Sequence, residues 1–203
     1  SMSTANIKKY LNYFSNLSFN RISVDGDMST NDTVVFSSTG DISLDLKNKS
    51  VQRKFLSFAS EFFVDMASLI VKDGEGATKA VKLNVINSKS LDLAQKVAKK
   101  ISNSLLVKTA VFGEDPNWGR VMASLGSIQS DYIKPDKVKL LINNILCFTN
   151  GLQTKGVTSR LKKSMKNKRI EITINLNNGK YNETMYFCDL SHDYVKINSE
   201  YTT

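Results

Sequence analysis

Residues 81–113 constrain the fold most. VKLNVIN (81–87) alternates apolar and polar residues at the strand period, and SLDLAQKVAKKISNS (90–104) is apolar at the helical period. Ser90 stands where a helix N-cap belongs. The following run, VKTAVFG (107–113), reads as a second strand, which makes the stretch a β–α–β signature. The fold class that follows is α/β (or α+β), with mixed sheets packed with helices.

The rest of the chain agrees with that class. Residues 5–17 place Ile7, Leu11, Phe14 and Leu17 on one helical face. RISV (21–24) and TVVFSS (33–38) read as short strands on either side of DGDMSTND (25–32), a loop of turn-forming residues. Residues 51–72 form the longest apolar-periodic run, with Phe55, Phe58, Phe62, Val64, Met66 and Leu69 at mixed helical spacings. So broad a face predicts a helix buried on a sheet. It stops at Gly74 and Gly76. Further strands are expected in KVKLLIN (137–143) and ILCFTNG (145–151), with a basic helix around 157–166. RIEITIN and the run ending in FCDLS read as a hairpin turning at NNGKYN, where Asn-Gly favours a tight turn. Ser1-Met2 reads as a tag remnant. A soft boundary near 86–90 divides the remainder into segments 3–88 and 89–203.

Composition removes several classes of function. At 41% apolar, 203 residues can bury a sizeable core. No run of about 18 apolar residues is present, so no membrane span is expected. Cys147 and Cys188 lack metal-ligand spacing and sit in apolar runs, as buried free thiols of a reducing, cytoplasmic compartment would. His192 is the sole histidine, which excludes a multi-histidine metal site built from this chain. The net charge of +9 is dispersed in short lysine clusters without interleaved aromatics, so no nucleic-acid partner is expected.

Three polar stretches invite a functional reading. Asp25, Asp27, Asn31 and Asp32 belong to DGDMSTND, which is read either as a hydrogen-bonded turn or as a loop shaping a site. It lacks calcium-loop spacing. DGEGATK (73–79) is read as a helix stop, or as a close-approach loop presenting Glu75 to an ammonium group. GEDPNWGR (113–120) reads as a capped helix start. Asp115 is the expected cap, Pro116 opens the helix, Arg120 pairs with Glu114 or Asp115, and Trp118 covers the pair beside Asn117.

Taken together, FNRISVDGDMSTNDT, IVKDGEGATKAVKLNV, ISNSLLVKTAVFGEDPNWGRV and FCDLSHDYVKINSEYTT resemble the C-terminal, β-chain portion of the ornithine acetyltransferase (glutamate N-acetyltransferase) family of arginine biosynthesis. The resemblance implies a self-processing, N-terminal-nucleophile type of enzyme whose precursor cuts itself before a threonine into α and β chains. That threonine takes acetyl from N-acetylornithine and passes it to glutamate. The resemblance calls for no cofactor, although some members accept acetyl-CoA as acetyl donor. It implies an α chain as partner in an αβ heterodimer that assembles further. Its substrate-binding residues fall on Glu75, Asn198 and Thr203. Asp25, Asp27, Asn31, Asp32, Glu114, Asp115, Asn117, Trp118 and Arg120 are then structural residues near the site. The matching nucleophile is expected upstream of Ser3, so that no catalytic residue and no metal ligand is assigned here. Thr202 stands where the family usually has arginine. The competing readings are a related self-processing aminopeptidase and a non-catalytic fragment that binds amino acids or a partner.

Overall fold

A computed structural model describes residues 2–200. Contacts divide the chain into two compact units: residues up to Ile22 with Asp27–Ile70, and Ser23–Gly26 with Val71 onward. The expected boundary at 86–90 is not where the contacts divide. Residues 80–88 form the strand at the heart of a sheet, and a division there would cut the sheet apart.

The first unit is helical. Helix α1 (Thr4–Leu17) is capped by Ser3, whose hydroxyl accepts from the Asn6 amide at 3.3 Å. Its Tyr10 and Phe14 are buried against Ala59 and Phe63 of α2 (Lys49–Lys72), with the Phe14 and Phe63 rings stacked at 4.9 Å. The described residues of this unit supply no sheet beneath α2, and its Phe58, Phe62, Met66 and Leu69 are exposed. TVVFSS is not a strand either. A strand needs a neighbour for its backbone ladder, and the described residues of this unit supply none. Phe36 packs on the small aromatic core while Val34 and Val35 stay exposed.

The second unit is a mixed α/β layer, as the sequence predicts. Its sheet runs β1-β7-β2-β6-β3-β4-β5, built from β1 (Ile22–Ser23), β2 (Ala80–Ser88), β3 (Lys139–Ile142), β4 (Ile145–Thr149), β5 (Leu152–Gln153), β6 (Arg169–Asn175) and β7 (Tyr181–Cys188). Of RISV only Ile22 and Ser23 pair. One face of the sheet, carrying Val81, Leu83, Val85, Ile172 and Phe187, is buried in a single apolar core. That core takes in residues of α3 (Leu91–Ser102), α4 (Leu105–Phe112) and α5 (Trp118–Gly126), and Leu161 of α6 (Thr158–Ser164). The opposite face is polar: Asn84 donates to Glu171 at 2.7 Å and accepts from Thr184 at 3.0 Å, linking three strands. Helix α7 (His192–Glu200) follows β7.

Two sequence expectations fail here for physical reasons. VKTAVFG lies in helix α4, not in a strand. Ser104 caps that helix by accepting from the Val107 amide at 3.4 Å, and Val107 and Val111, one turn apart, are both buried. Strands β6 and β7 are not a hairpin. β2 lies between them, parallel to β6 and antiparallel to β7. The Asn-Gly turn instead crosses the end of β2, and the Asn178 and Gly179 amides both donate to the Asn87 carbonyl at 2.9 Å.

Candidate functional site

DGEGATK joins the end of α2 to β2, and α7 lies against it. Gly76 adopts φ +63°, a conformation that L side chains rarely take. Its carbonyl accepts from the Ser191 hydroxyl at 2.6 Å. The same hydroxyl accepts from the Tyr194 amide at 3.3 Å and so caps the first turn of α7. Loop and helix are thus pinned at one atom. Two turns along α7, Asn198 Nδ2 donates to Glu75 Oε2 at 2.7 Å and to the Tyr194 carbonyl at 3.0 Å. Both side chains are exposed, and Glu75 Oε1 has no partner among the described residues. An open carboxylate oxygen beside an amide can grip an ammonium group while the amide orients a neighbouring carbonyl.

Beneath this pair the polar groups are buried. Asp189, 2% exposed, accepts at Oδ1 from the Thr78 amide (2.8 Å) and the Lys79 amide (2.9 Å), and at Oδ2 from the Thr78 hydroxyl. Three donors on one carboxylate hold the loop's second half in place. The Tyr194 hydroxyl donates to Asp25 Oδ2 at 3.0 Å, which brings Asp25 to α7. Fully buried Lys108 of α4 donates to the Cys188 carbonyl and lies 3.9 Å from the Cys188 sulfur.

The other expected residues take different places. Asn31 and Asp32 belong to a local turn of the first unit, where both backbone amides donate to the Ser29 hydroxyl, at 3.3 and 3.1 Å. Asp27 is exposed in the same loop. Thr203 lies outside the described residues. In GEDPNWGR the helix starts at Trp118, not Pro116. Its cap is Asn117, which accepts from the Arg120 amide at 3.0 Å, rather than Asp115. Asp115 accepts from Asn117 Nδ2 at 2.9 Å. Among the described residues Arg120 does not pair with an acid. It donates to the Leu106 carbonyl at 2.9 Å and the Thr109 hydroxyl at 3.2 Å, bracing α4. Glu114, at φ +55°, pairs instead with Lys79, the last residue of DGEGATK, at 3.1 Å. Trp118 covers no ion pair; it stacks on Phe148 at 5.3 Å. The motif therefore reaches the candidate site through the ion pair of Glu114 with Lys79. Among the described residues, no three His, Cys, Asp or Glu side chains gather as a metal site.

Sequence and structure comparisons agree on kinship. The chain matches the family described as "ArgJ family" over residues 1–203. The chain belongs to the ArgJ family. A relative from Caldanaerobacter subterraneus named "Arginine biosynthesis bifunctional protein ArgJ" is 41% identical, with 100% of this chain and 52% of the relative covered. A "Glutamate N-acetyltransferase" from Methanocaldococcus jannaschii is 42% identical over 91% of this chain and 47% of its own length. A crystal structure of the Bacillus halodurans ArgJ protein superposes with a TM-score of 0.90 at 31% identity, covering 99% of this chain and 95% of that one. The chain therefore spans about half the length of the curated ArgJ relatives it matches.

Asp189, Ser191, Tyr194 and Lys108 of this ArgJ-family chain were not singled out in the sequence. Lys108 left the only trace: it is the one charged side chain in the apolar run LLVKTAVF. Burial depresses its ammonium below the ordinary 10.5, against the opposing pull of Cys188, Asp189 and Asp25. The folded state then gives up a proton that the unfolded chain keeps. Stability should rise as pH climbs from that depressed value towards 10.5, by at most about 1.4 kcal/mol per pH unit. Burial acts the other way on the thiols, pushing Cys147 from 9.0 up to about 12 and Cys188 up as well, so stability falls again above pH 9. Urea unfolding at matched pH values up to 10.5 should show a rise in the native chain that is absent from Lys108→Met. An equal slope in the variant would assign the proton elsewhere.

Proposed function

We propose that this chain carries the amino-acid-gripping side of an acetyltransferase that moves acetyl from N-acetylornithine to glutamate in arginine biosynthesis. The observation that carries this reading is the 2.7 Å contact between Glu75 and Asn198. The family resemblance singles out these two residues, they stand 123 positions apart, and the fold brings them together on an exposed surface. Names of relatives point the same way, one being a glutamate N-acetyltransferase and another an arginine-biosynthesis protein.

In this reading the chain is a β-chain portion, and the partner is an α chain released from the same precursor. The solved relative supports a divided polypeptide, since its chain is 95% covered while the curated sequences are about half covered. The acyl-accepting residue in this reading is the threonine that opens the family's β chain. Its hydroxyl attacks the acetyl carbonyl, with its own free amine taking the proton. Ornithine leaves, and the glutamate amine then attacks the acyl-threonine ester and carries the acetyl away. Glu75 holds the ammonium group of the bound amino acid. Asn198, with Thr203 as the resemblance implies, holds its carboxylate or the acetyl carbonyl. No cofactor takes part; acetyl-CoA enters only as an alternative donor.

Glu75→Gln removes the charge and keeps the shape. In the assembled two-chain enzyme it should raise KM for N-acetylornithine about 10- to 100-fold, the worth of one charge-assisted hydrogen bond. Circular dichroism should be unchanged, because Glu75 is exposed. An unaltered KM would sink the ammonium role.

A further inference from the structure

Segment 188–191 (CDLS) is the platform on which the candidate site stands. Asp189 holds the second half of DGEGATK by its carboxylate, and its own amide donates to the Lys79 carbonyl at 3.1 Å. Ser191 holds Gly76 on one side and the first turn of α7 on the other. The loop carries Glu75 and the helix carries Asn198, so whatever fixes this segment also fixes the contact between them.

Lys108 of α4 fixes it from both sides. Its ammonium donates to the carbonyl of Cys188, just before Asp189. Its own backbone carbonyl accepts from the amide of Leu190, just after Asp189, at 3.4 Å. The ammonium also lies 5.4 Å from the centroid of the Phe187 ring, and the carboxylates of Asp189 and Asp25 pull on it through space. Asp25 in turn accepts from the Tyr194 hydroxyl at 3.0 Å, and the Tyr194 carbonyl accepts from Asn198 at 3.0 Å. One cation thus acts on both the carboxylate that holds the loop and the carboxylate that holds α7. Lys108 is fully buried, so it cannot touch a bound amino acid itself. Packing alone would be served by a methionine or leucine, because a buried ammonium carries a desolvation cost that an apolar side chain of similar size does not.

We propose that Lys108 is a positioning residue for amino-acid binding: from beneath, it fixes segment 188–191 and so holds Glu75 and Asn198 at the spacing that grips the substrate's ammonium group. This rests on the grip reading above and adds the residue that sets its geometry. Lys108 takes no part in acyl transfer, so its loss should act on binding and spare the chemical step.

The test compares Lys108→Met, Glu75→Gln and the double variant with the native chain, each in the assembled two-chain enzyme, with N-acetylornithine as donor and glutamate as acceptor. Lys108→Met keeps the length of the side chain and removes its charge. It should raise KM for N-acetylornithine about 10-fold and leave kcat within about 3-fold of native, since a displaced binding group weakens ground and transition states alike. Loss of folded enzyme would lower the apparent kcat at an unchanged KM, so the split separates positioning from stability. Adding Lys108→Met to Glu75→Gln should raise KM by no more than about 2-fold further, because the charge being positioned is already gone. A native KM in Lys108→Met, where Glu75→Gln raises it, overturns the positioning role and leaves the grip reading standing. Multiplying effects in the double variant also overturn it, because they would give Lys108 a separate route to the substrate. If Glu75→Gln leaves KM unchanged, the grip reading falls and takes this one with it. Should Lys108→Met fail to fold, Lys108→Gln, which keeps a donor for the Cys188 carbonyl, is measured in its place by the same criteria. Failure of both to fold would make Lys108 a residue of stability alone and overturn the proposal.

Discussion

Gly76→Ala is expected to destabilise the second unit by about 3 kcal/mol and to break the contact between Glu75 and Asn198. Two effects add. The residue sits at φ +63°, where a Cβ costs about 1–2 kcal/mol by itself. That Cβ would also lie 2.5 Å from the Tyr194 nitrogen, 2.8 Å from the Ser191 hydroxyl and 3.0 Å from the Asp193 carbonyl carbon. Two of these three atoms are backbone in the first turn of α7, so they can retreat only if the helix shifts away from the loop. The loop would then lose its bond to Ser191, and Asn198 would move out of reach of Glu75. Urea unfolding reads the stability, and KM for N-acetylornithine in the assembled enzyme reads the site. A loss below about 1 kcal/mol, the cost of a mild surface change, would show that α7 does not close on the loop.

Gly179→Ala should cost at least as much, about 4 kcal/mol, or roughly 10 °C in melting temperature for a unit of this size. Here the atoms in the way are all main chain. An added Cβ would stand 2.2 Å from the Ser88 carbonyl oxygen and 2.6 Å from both the Ser88 carbonyl carbon and the Lys89 Cα. No side chain can turn aside to make room. The turn would have to lift from the end of β2, losing the two amide bonds to the Asn87 carbonyl and pulling on β6 and β7 together. A melting temperature within about 2 °C of native would show that the connection takes another path.

These two glycines also show how far the sequence could be read. Periodicity and caps act between near neighbours, and they identified α1, α3 with its Ser90 cap, and the separate strands β2, β3, β4, β6 and β7. Pairing depends on distant residues. RIEITIN and the run ending in FCDLS are strands, but nothing local in either says that β2 will lie between them. VKTAVFG looked like a strand because Val, Thr and Phe favour one. The helix prevails through the Ser104 cap and the burial of Val107 and Val111 on one face. At the site, the resemblance named Glu75 and Asn198, but only the fold shows that they touch. Lys108 and Asp189 could not be recognised, because a buried charge becomes visible only once its partners are placed around it. Arg120 and Glu114 reverse the lesson. Their nearness in sequence suggested an ion pair, and each instead found a partner elsewhere in the fold.

The placement of β2 also bears on how the protein is made. Its sheet neighbours are β6 and β7, which begin at Arg169 and Tyr181. A ribosome moving at about 5–20 residues per second must add some eighty more residues after finishing β2 before either neighbour exists, a delay of several seconds. Throughout that interval Val81, Leu83 and Val85 have no sheet to join, although α3 is already available to cover them. The nascent chain is then exposed to mispairing with other unfinished chains. Truncations that stop short of β7 should therefore aggregate rather than yield a smaller folded core.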